Sequence, residues 1–404
     1  MNVLFIVDGS LSNPILFSQG IPHIQENYSK GIDYSILSFE NSKFLSHGST
    51  IGDRYFQAMK ELEGVAKVYP IILNLEKNSF QRKLRYFLSL FLGVATGIRI
   101  IKKNNIKTIH CRSNQPTLIG LLIKLFINVK VLFDDRGLVS DEIPSNRYFR
   151  IFLEKRLEYL LYKYSDAIVV VSIAFKDYLI STYKILKKLD KKITVIENSF
   201  SEKRFQYSVA MRENQLEKNN LKNRYIMIFS GPSVNWQRFD LVLETFKILK
   251  IIKPESYLLI ISYDPLIYQM VLTSGISEQD YSIHNLSASD MNKYLIMGDF
   301  GVLFGDKRIL RRVSAPIKFG EYLASGLPVL LMDEIGDTAE ITRKYNSGVI
   351  IKDEKELFEK GINEIIELSS QPDIKERCRK AAEQELSLKF SAQKYYSIYK
   401  QLNG

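Results

Sequence analysis

Residues 314–329 read SAPIKFGEYLASGLPV, a helix with both ends written out that runs into a strand. Pro316 is tolerated just inside a helix start, and Ser314 stands where an N-cap would. Gly326 ends the helix and Pro328 forbids its continuation. The run PVLLM, 328–332, then reads as a buried strand. Free N–H groups and a partial positive charge at the helix start favour an anion. Lys318 adds a full cation in the first turn, and Glu321, three residues on, shares its face. A phosphate-neutralising Lys beside a carboxylate able to accept two sugar hydroxyls suits a nucleoside diphosphate with its ribose.

The surrounding chain repeats this grammar. Residues 3–7 (VLFIV) form a continuous apolar run, as expected of a strand buried in a parallel sheet. Further strand candidates lie at 35–39, 68–73, 108–110, 130–133, 167–171 and 192–196, with helical periodicity at 119–126, 148–165 and 174–182. A polar stretch rich in Glu, Asn and Lys, 201–224, reads as an interdomain connection. A second series follows. Strands are expected at 225–230, 257–262, 300–304 and 328–332, and helices at 241–252, 291–297, 317–324 and 354–368. Alternation of this kind predicts parallel sheets covered on both faces. Two series imply an α/β chain of two doubly wound domains facing a central cleft, with ligands beyond the carboxyl ends of the strands. The expected limits are 1–200 for the first domain, 201–224 for the linker, 225–385 for the second domain and 386–404 for a closing helix.

Composition narrows the function. The 404 residues are 46% hydrophobic and 25% charged, enough for two large cores and too apolar for extended disorder. Two cysteines, Cys111 and Cys378, cannot build a disulfide framework or a four-thiolate zinc site, which points to a reducing compartment. Residues 1–7 lack a basic signal-peptide start, and the longest apolar stretch, 87–98, is shorter than the ~20 residues a spanning helix needs. The expectation is a cytoplasmic protein, soluble or peripheral on a membrane. The net charge of +11 is uneven: residues 1–200 hold 28 Lys and Arg against 18 Asp and Glu. No acid occurs from 77 to 133, while eleven Lys or Arg do. The first half therefore suits a polyanionic partner. No helix–turn–helix, zinc or RNA-binding pattern favours nucleic acid.

The pattern S-x-P-x-K-x-x-E-Y-L-A-x-G-x-P-V resembles the donor-site helix of GT-B glycosyltransferases, in particular the retaining family 4 of polysaccharide synthesis. Other segments follow in the same order. Gly231 with Asn235-Trp236-Gln237 is similar to the glycine turn that opens the second domain, and Met297-Gly298-Asp299 and Ile335-Gly336-Asp337 resemble two further family elements. In the first half, His110-Cys111-Arg112-Ser113 and Asp134-Asp135-Arg136-Gly137 with Asp141-Glu142 resemble H-x-R-S and D-x-R-G…E signatures. Asn198 and Phe205 resemble an "N…R-F" element, and FSAQKYYSIYKQL looks like the closing helix that returns to the first domain. The resemblance spans essentially the whole chain.

The resemblance implies two Rossmann-like domains and retaining transfer from a nucleotide sugar to a glycan or lipid-linked glycan. Donor contacts would fall to Gly231, Arg238, Ser314, Lys318, Glu321 and Tyr322, with Lys318 and Arg238 on the diphosphate and Glu321 on the ribose. Acceptor contacts would fall to Gln19, Arg112, Asp135, Arg136 and Glu142, Asp135 by shaping the acceptor loop. Lys318, Arg136 and His110 are the catalytic candidates. No cofactor or metal is expected: adjacent carboxylates on an extended chain, as at Asp134-Asp135, point to opposite faces, and His23, His47 and His284 share no ligand spacing. The sequence departs from the pattern at several points. Val313 replaces the first Glu of E-x7-E, so the donor-sugar contact is built otherwise. Pro232 and Gln237 stand where Arg and Lys are common, leaving Arg238 as the candidate replacement, and Arg136 stands where many relatives have His. The Gly-Gly loop after the first strand is missing; Ser18-Gln19-Gly20 or Ser12-Asn13-Pro14 occupies that region.

Residues 80–107 flank an aromatic and aliphatic helix with basic residues at both ends, a composition that can lie in an anionic membrane interface. A lipid-diphosphate-linked acceptor at the inner membrane face would account for both features. The alternatives are a nucleotide-sugar epimerase or hydrolase on the same fold, and a surface or glycan-binding scaffold without catalysis.

Overall fold

The computed structural model describes residues 1–45, 48–74, 79–183, 190–306, 308–352 and 355–404; His47 lies outside them. The chain forms two units, Met1–Glu197 with Leu388–Gly404, and Asn198–Ser387.

The first unit is built on seven parallel strands: β1 (Asn2–Ile6), β2 (Asp33–Glu40), β3 (Ala66–Ile72), β4 (Thr108–Arg112), β5 (Lys130–Asp134), β6 (Ala167–Val170) and β7 (Ile193–Val195). Their order in the sheet is β3-β2-β1-β4-β5-β6-β7. The apolar run of β1 lies between β2 and β4 in the sheet and is buried on both faces, Val3 and Phe5 in one core cluster and Leu4 and Ile6 in another. The second unit holds β8 (Tyr225–Ser230), β9 (Ser256–Ile261), β10 (Tyr281–His284), β11 (Phe300–Leu303), β12 (Val329–Met332) and β13 (Gly348–Ile351), in the order β10-β9-β8-β11-β12-β13. In both sheets the first strand is central and the fourth lies beside it. The strand order therefore reverses between β1 and β4 and between β8 and β11, and the carboxyl ends at such reversals form ligand crevices. The edge strands β10 and β13 escape the sequence reading because they are four residues long and half-buried along much of their length.

Three expectations need correction. Residues 201–224 are not a linker. They carry the helix Val209–Lys218, and Phe205, Leu216 and Leu221 are buried in the second core. Their polar composition is that of an exposed helix face. Arg212 also ties this segment to Asp299 at 2.8 Å, whose other oxygen accepts from the Ile226 amide at 2.7 Å. The closing helix starts at Leu388 and belongs to the first unit, with Tyr395, Ile398 and Tyr399 in its core.

The third correction concerns residues 87–98. They sit within one helix, Ser79–Asn104, and its Lys83–Asn104 portion is long and apolar enough to cross a membrane by length and composition. Gly93 and Gly97 bring one face of it down on the core. A β-carbon at Gly93 would stand 2.9 Å from Ile119 Cδ1, and one at Gly97 would stand 2.5 Å from Ile123 Cδ1. Ser89, Ile100 and Ile101 are buried along the same helix, while Leu84, Phe87 and Phe91 on its other side are exposed.

Candidate active site

The Ile317–Ala324 helix is set as its sequence indicates, with one change at its start. Pro316 is the N-cap residue, in extended conformation (φ −66°, ψ 120°), and no side chain caps the helix. Ser314 instead donates its hydroxyl back to the Arg311 carbonyl at 2.9 Å. At the other end Gly326 adopts φ +72°, and the amides of Gly326 and Leu327 bond back to Leu323 and Tyr322 at 2.9 Å each. This is the paired closure a left-handed C′ glycine provides. The Asn198 amide donates to the Ala315 carbonyl at 2.6 Å and fixes the approach to the helix.

The helix aims Lys318 at the carboxyl end of β8. Its ammonium donates to the Ser230 carbonyl at 2.9 Å and to Gln237 Oε1 at 2.8 Å, and lies 4.6 Å from the centre of the Phe229 ring. An ammonium has three donors, so one is left for a ligand. Burial, then repulsion from Arg311, pushes the Lys318 pKa down to about 7, against an opposing pull from Glu321. Burial pushes Glu321 up to about 7, opposed by Arg204 and Lys318. The site thus holds a cation and an anion at the edge of neutrality. An anion beside the ammonium would restore the full charge of Lys318.

Gly231 forms the turn beneath this ammonium. Its φ of +136° suits glycine alone, and a β-carbon there would stand 2.5 Å from Gln237 Oε1. Tyr322 is buried. Its hydroxyl accepts from the Ser230 amide at 2.8 Å and so braces the turn from below. Arg238 departs from expectation: it forms a two-pronged pair with Asp240, at 2.9–3.1 Å, on an exposed part of the following helix. The cation beside Gln237 is therefore Lys318. Two further charges escaped sequence reasoning, Arg204 beside Glu321 and the buried Arg311 near Lys318. The Arg of "N…R-F" was the available signal for Arg204; 308-RILRR-312 holds three arginines and nothing in it singles out Arg311.

In the first unit His110, Arg112, Asp134 and Arg136 do come together at the ends of β4 and β5, as one buried cluster. Asp134 meets Arg136 Nε at 2.9 Å, His110 Nε2 at 3.2 Å and Arg112 Nη1 at 3.6 Å. Burial alone would raise the Asp134 pKa; Arg136, His110 and Arg112 override it and hold it far below the usual carboxylate range. Asp134 opposes the lowering of Arg136 by burial, and that pKa stands above its ordinary value; Arg112, more weakly paired, is pushed by burial and Arg136 down to about 10. Burial lowers the His110 pKa against the opposing pull of Asp134. Its Nε2 faces Asp134, and its Nδ1 shares a hydrogen bond of 2.6 Å with the Tyr399 hydroxyl. Arg136 also donates to the Tyr395 hydroxyl. Both tyrosines come from the closing helix.

Three candidate acceptor residues lie elsewhere. Asp135 is turned inward, accepts from the Tyr162 hydroxyl and from the Gly137 amide at 3.2 Å, and is pushed by burial up to about 7. It shapes the Gly137 turn. Gln19 is buried in the turn Leu16–Gly20, and Glu142 is exposed at the end of the short helix Val139–Glu142. Cys111 and Cys378 are free and buried. Among the described residues no group of three His, Cys, Asp or Glu is placed to hold a metal ion.

Comparisons with known proteins agree with this fold. Residues 211–385 match the family described as Glycosyl transferases group 1. No protein of curated function is matched by the sequence. Among solved structures, a glycosyltransferase from Rickettsia africae is 19% identical, with a TM-score of 0.70, over 99% of this chain and 98% of that one. HepE of Anabaena, solved with UDP, is 13% identical, with a TM-score of 0.74, over the full length of both chains. WaaG, a glycosyltransferase of lipopolysaccharide biosynthesis, is 12% identical, with a TM-score of 0.64, over 98% of this chain and 99% of that one. With two reversed parallel sheets of seven and six strands, the chain has the GT-B fold of these structures, and its residues 211–385 match the group 1 glycosyl transferases.

Proposed function

We propose that the protein transfers a sugar, with retention, from a nucleoside-diphosphate sugar to a glycan or a lipid-diphosphate-linked glycan in cell-surface polysaccharide synthesis, as a family 4 type enzyme. The observation that carries the donor half is the Lys318 ammonium held on Ser230 and Gln237 at the carboxyl end of β8, with Glu321 one turn further along the same helix. In this reading Lys318 neutralises the diphosphate and Glu321 accepts the ribose hydroxyls. HepE has been solved with UDP and with UDP-glucose, and UDP is the first nucleotide to test.

The reaction breaks the bond between the anomeric carbon and the diphosphate oxygen and forms one to an acceptor hydroxyl oxygen. The acceptor proton passes to the leaving phosphate, so the products are the glycoside and the nucleoside diphosphate. Negative charge grows on the departing phosphate as the sugar becomes cation-like, and a preplaced ammonium stabilises that charge. No metal is assigned a part. The buried cluster of Arg112, Asp134 and Arg136 positions the loops after β4 and β5, where the acceptor would lie.

We place the protein at the inner face of the membrane. Leu84, Phe87 and Phe91 form an exposed stripe on the Ser79–Asn104 helix, beside Lys83 and Arg85. A second exposed group, Tyr148, Phe149, Phe152 and Leu153, lies on the helix Tyr148–Tyr164 among Arg147, Arg150, Lys155 and Arg156. Aromatic groups interleaved with cations suit an anionic lipid surface. Titrating UDP into the wild type and into Lys318→Ala and Glu321→Ala tests the donor site. Both variants should bind more weakly, and wild-type affinity in both would refute the assignment. Turnover of UDP-glucose with no acceptor present would favour an epimerase or hydrolase instead.

A further inference from the structure

Arg311 is a buried cation that makes no ion pair among the described residues. It lies in the short helix Ile309–Arg312 that follows β11, and its residue exposure is 8%. Its main chain is clamped: the Arg311 carbonyl accepts from the Ser314 amide at 3.2 Å, the Ser314 hydroxyl at 2.9 Å and the Gly336 amide at 3.2 Å. Its side chain is placed but unsatisfied. Nε and Nη2 are both buried and have no hydrogen-bond partner. These two nitrogens form the side-on edge of a guanidinium, the fork that takes two oxygens of one carboxylate or phosphate.

The Asp306 carboxylate opposes the effect of burial on Arg311 but makes no ion pair with it. Asp306 accepts from Arg308 Nε at 2.6 Å. Val313, two residues beyond Arg311, is apolar and buried. The guanidinium lies against Gly305, where a β-carbon would approach Arg311 Nε to 3.1 Å. Gly305 closes β11, the strand beside β8, so Arg311 stands at the sheet reversal that also carries Lys318. Its charge is felt there, since it contributes to depressing the Lys318 pKa. A buried, unpaired guanidinium is costly, and two cations converging on one crevice add to that cost. An arrangement that weakens the free protein in this way is accounted for by a ligand that brings the missing charge.

We propose that the Nε–Nη2 edge of Arg311 is an oxyanion site for the donor, taking a second pair of oxygens beside the group that Lys318 neutralises. This rests on the donor reading above. The oxyanion has two possible sources: the carboxylate of an acidic donor sugar, or the pyrophosphate itself. Either makes Arg311 a residue that selects the donor.

The test compares wild type, Arg311→Met and Lys318→Met by calorimetry against inorganic pyrophosphate, UDP, GDP, UDP-glucose and UDP-glucuronate, with the melting temperature of each free protein. Free Arg311→Met should melt at or above wild type, because it removes an unsatisfied charge; a marked drop would mean structural bonds to the guanidinium and would overturn the proposal. If the carboxylate is the source, wild type binds UDP-glucuronate at least tenfold more tightly than UDP-glucose, and Arg311→Met erases that preference while leaving UDP unchanged. If the pyrophosphate is the source, Arg311→Met weakens UDP and pyrophosphate at least tenfold. Equal binding of every probe by Arg311→Met and wild type overturns the proposal while leaving the donor reading intact, provided Lys318→Met loses affinity. A wild type that binds none of the probes overturns both.

Discussion

The ammonium of Lys318 donates to the side-chain oxygen of Gln237 at 2.8 Å, so the cation at the mouth of β8 arrives from the Ile317–Ala324 helix and not from the turn that follows the strand. The amide of Gln237 is neutral and acts as a rest for another residue's charge. Position 318 should therefore tolerate little. A charge-assisted hydrogen bond contributes about 1.5–3 kcal/mol, roughly a 10- to 150-fold change in affinity. Lys318→Ala should lose that much UDP affinity by calorimetry. Arg238→Ala, which removes the surface pair with Asp240, should bind UDP within about twofold of wild type on the scale expected for exposed pairs.

The same ammonium predicts a proton uptake. With its pKa at about 7 in the free site, Lys318 is mostly neutral at pH 8. A bound diphosphate raises that pKa, so binding must draw in a proton. UDP affinity should fall as the pH rises above 7, by up to about tenfold per unit. Calorimetry at pH 8 in two buffers of different ionisation enthalpy should show uptake approaching one proton per UDP. Lys318→Met should show none. Uptake unchanged in that variant would place the titrating group elsewhere.

Much of this was legible in the sequence because the relevant signals are local. The apolar runs 3–7 and 225–230 fit buried strands and Gly326-Leu327-Pro328 fits a helix end, so the strands and the Ile317–Ala324 helix follow from local pattern. What pattern cannot supply is which side chains meet across elements. Ser314 has the composition of an N-cap, yet its hydroxyl finds the Arg311 carbonyl first. Arg238 has the right charge at the right distance from Gly231, yet Asp240, two residues away, captures it. Arg112 ends β4 as expected, but His110 lies inside that strand and Arg136 stands beyond the end of β5; they share Asp134, the tyrosines over them come from the closing helix, and only the fold discloses that they are buried.

Asp134 should be the most sensitive position in the first unit. Removing it leaves Arg136 and Arg112 buried without their shared carboxylate, a change that costs about 3–5 kcal/mol. Asp134→Ala should unfold at markedly lower urea concentration, while Tyr399→Phe, which removes one hydrogen bond to His110, should cost about 1 kcal/mol. The sign of the pH effect follows from the depressed pKa. The stabilisation is complete above the unfolded value near 4 and is lost as the pH falls below it. Between pH 5 and pH 2 the gap between wild type and Asp134→Ala should shrink; a constant gap would show that the ion cluster is not what Asp134 contributes.

Gly231 offers a test that separates shape from charge. At φ +136° a β-carbon is strained, and it would also press on Gln237 Oε1 from 2.5 Å. Gly231→Ala should cost about 1–3 kcal/mol of stability and weaken UDP binding, because Gln237 must move and release one of the two oxygens that hold Lys318. Gln237→Ala removes that oxygen without strain. If it weakens UDP binding while keeping the wild-type melting temperature, the placement of Lys318 matters beyond its charge.

The exposed stripe on the Ser79–Asn104 helix can be tested without disturbing the core, because Phe87 and Phe91 are 65% and 72% exposed while Gly93 and Gly97 face inward. Fully burying a Phe side chain in an apolar medium contributes about 1.5–3 kcal/mol, and each Lys or Arg near an anionic surface about 1 kcal/mol. Phe87→Ser with Phe91→Ser should therefore lower partitioning onto phosphatidylglycerol-containing vesicles at least tenfold, with unchanged melting temperature. Wild-type binding should also fall steeply with salt, as an electrostatic contribution must. Replacing Tyr148 and Phe149 by Ser in a separate variant shows whether the second aromatic group shares the surface: loss in both variants means one continuous docking face, and loss in neither removes the membrane from the account of residues 80–107.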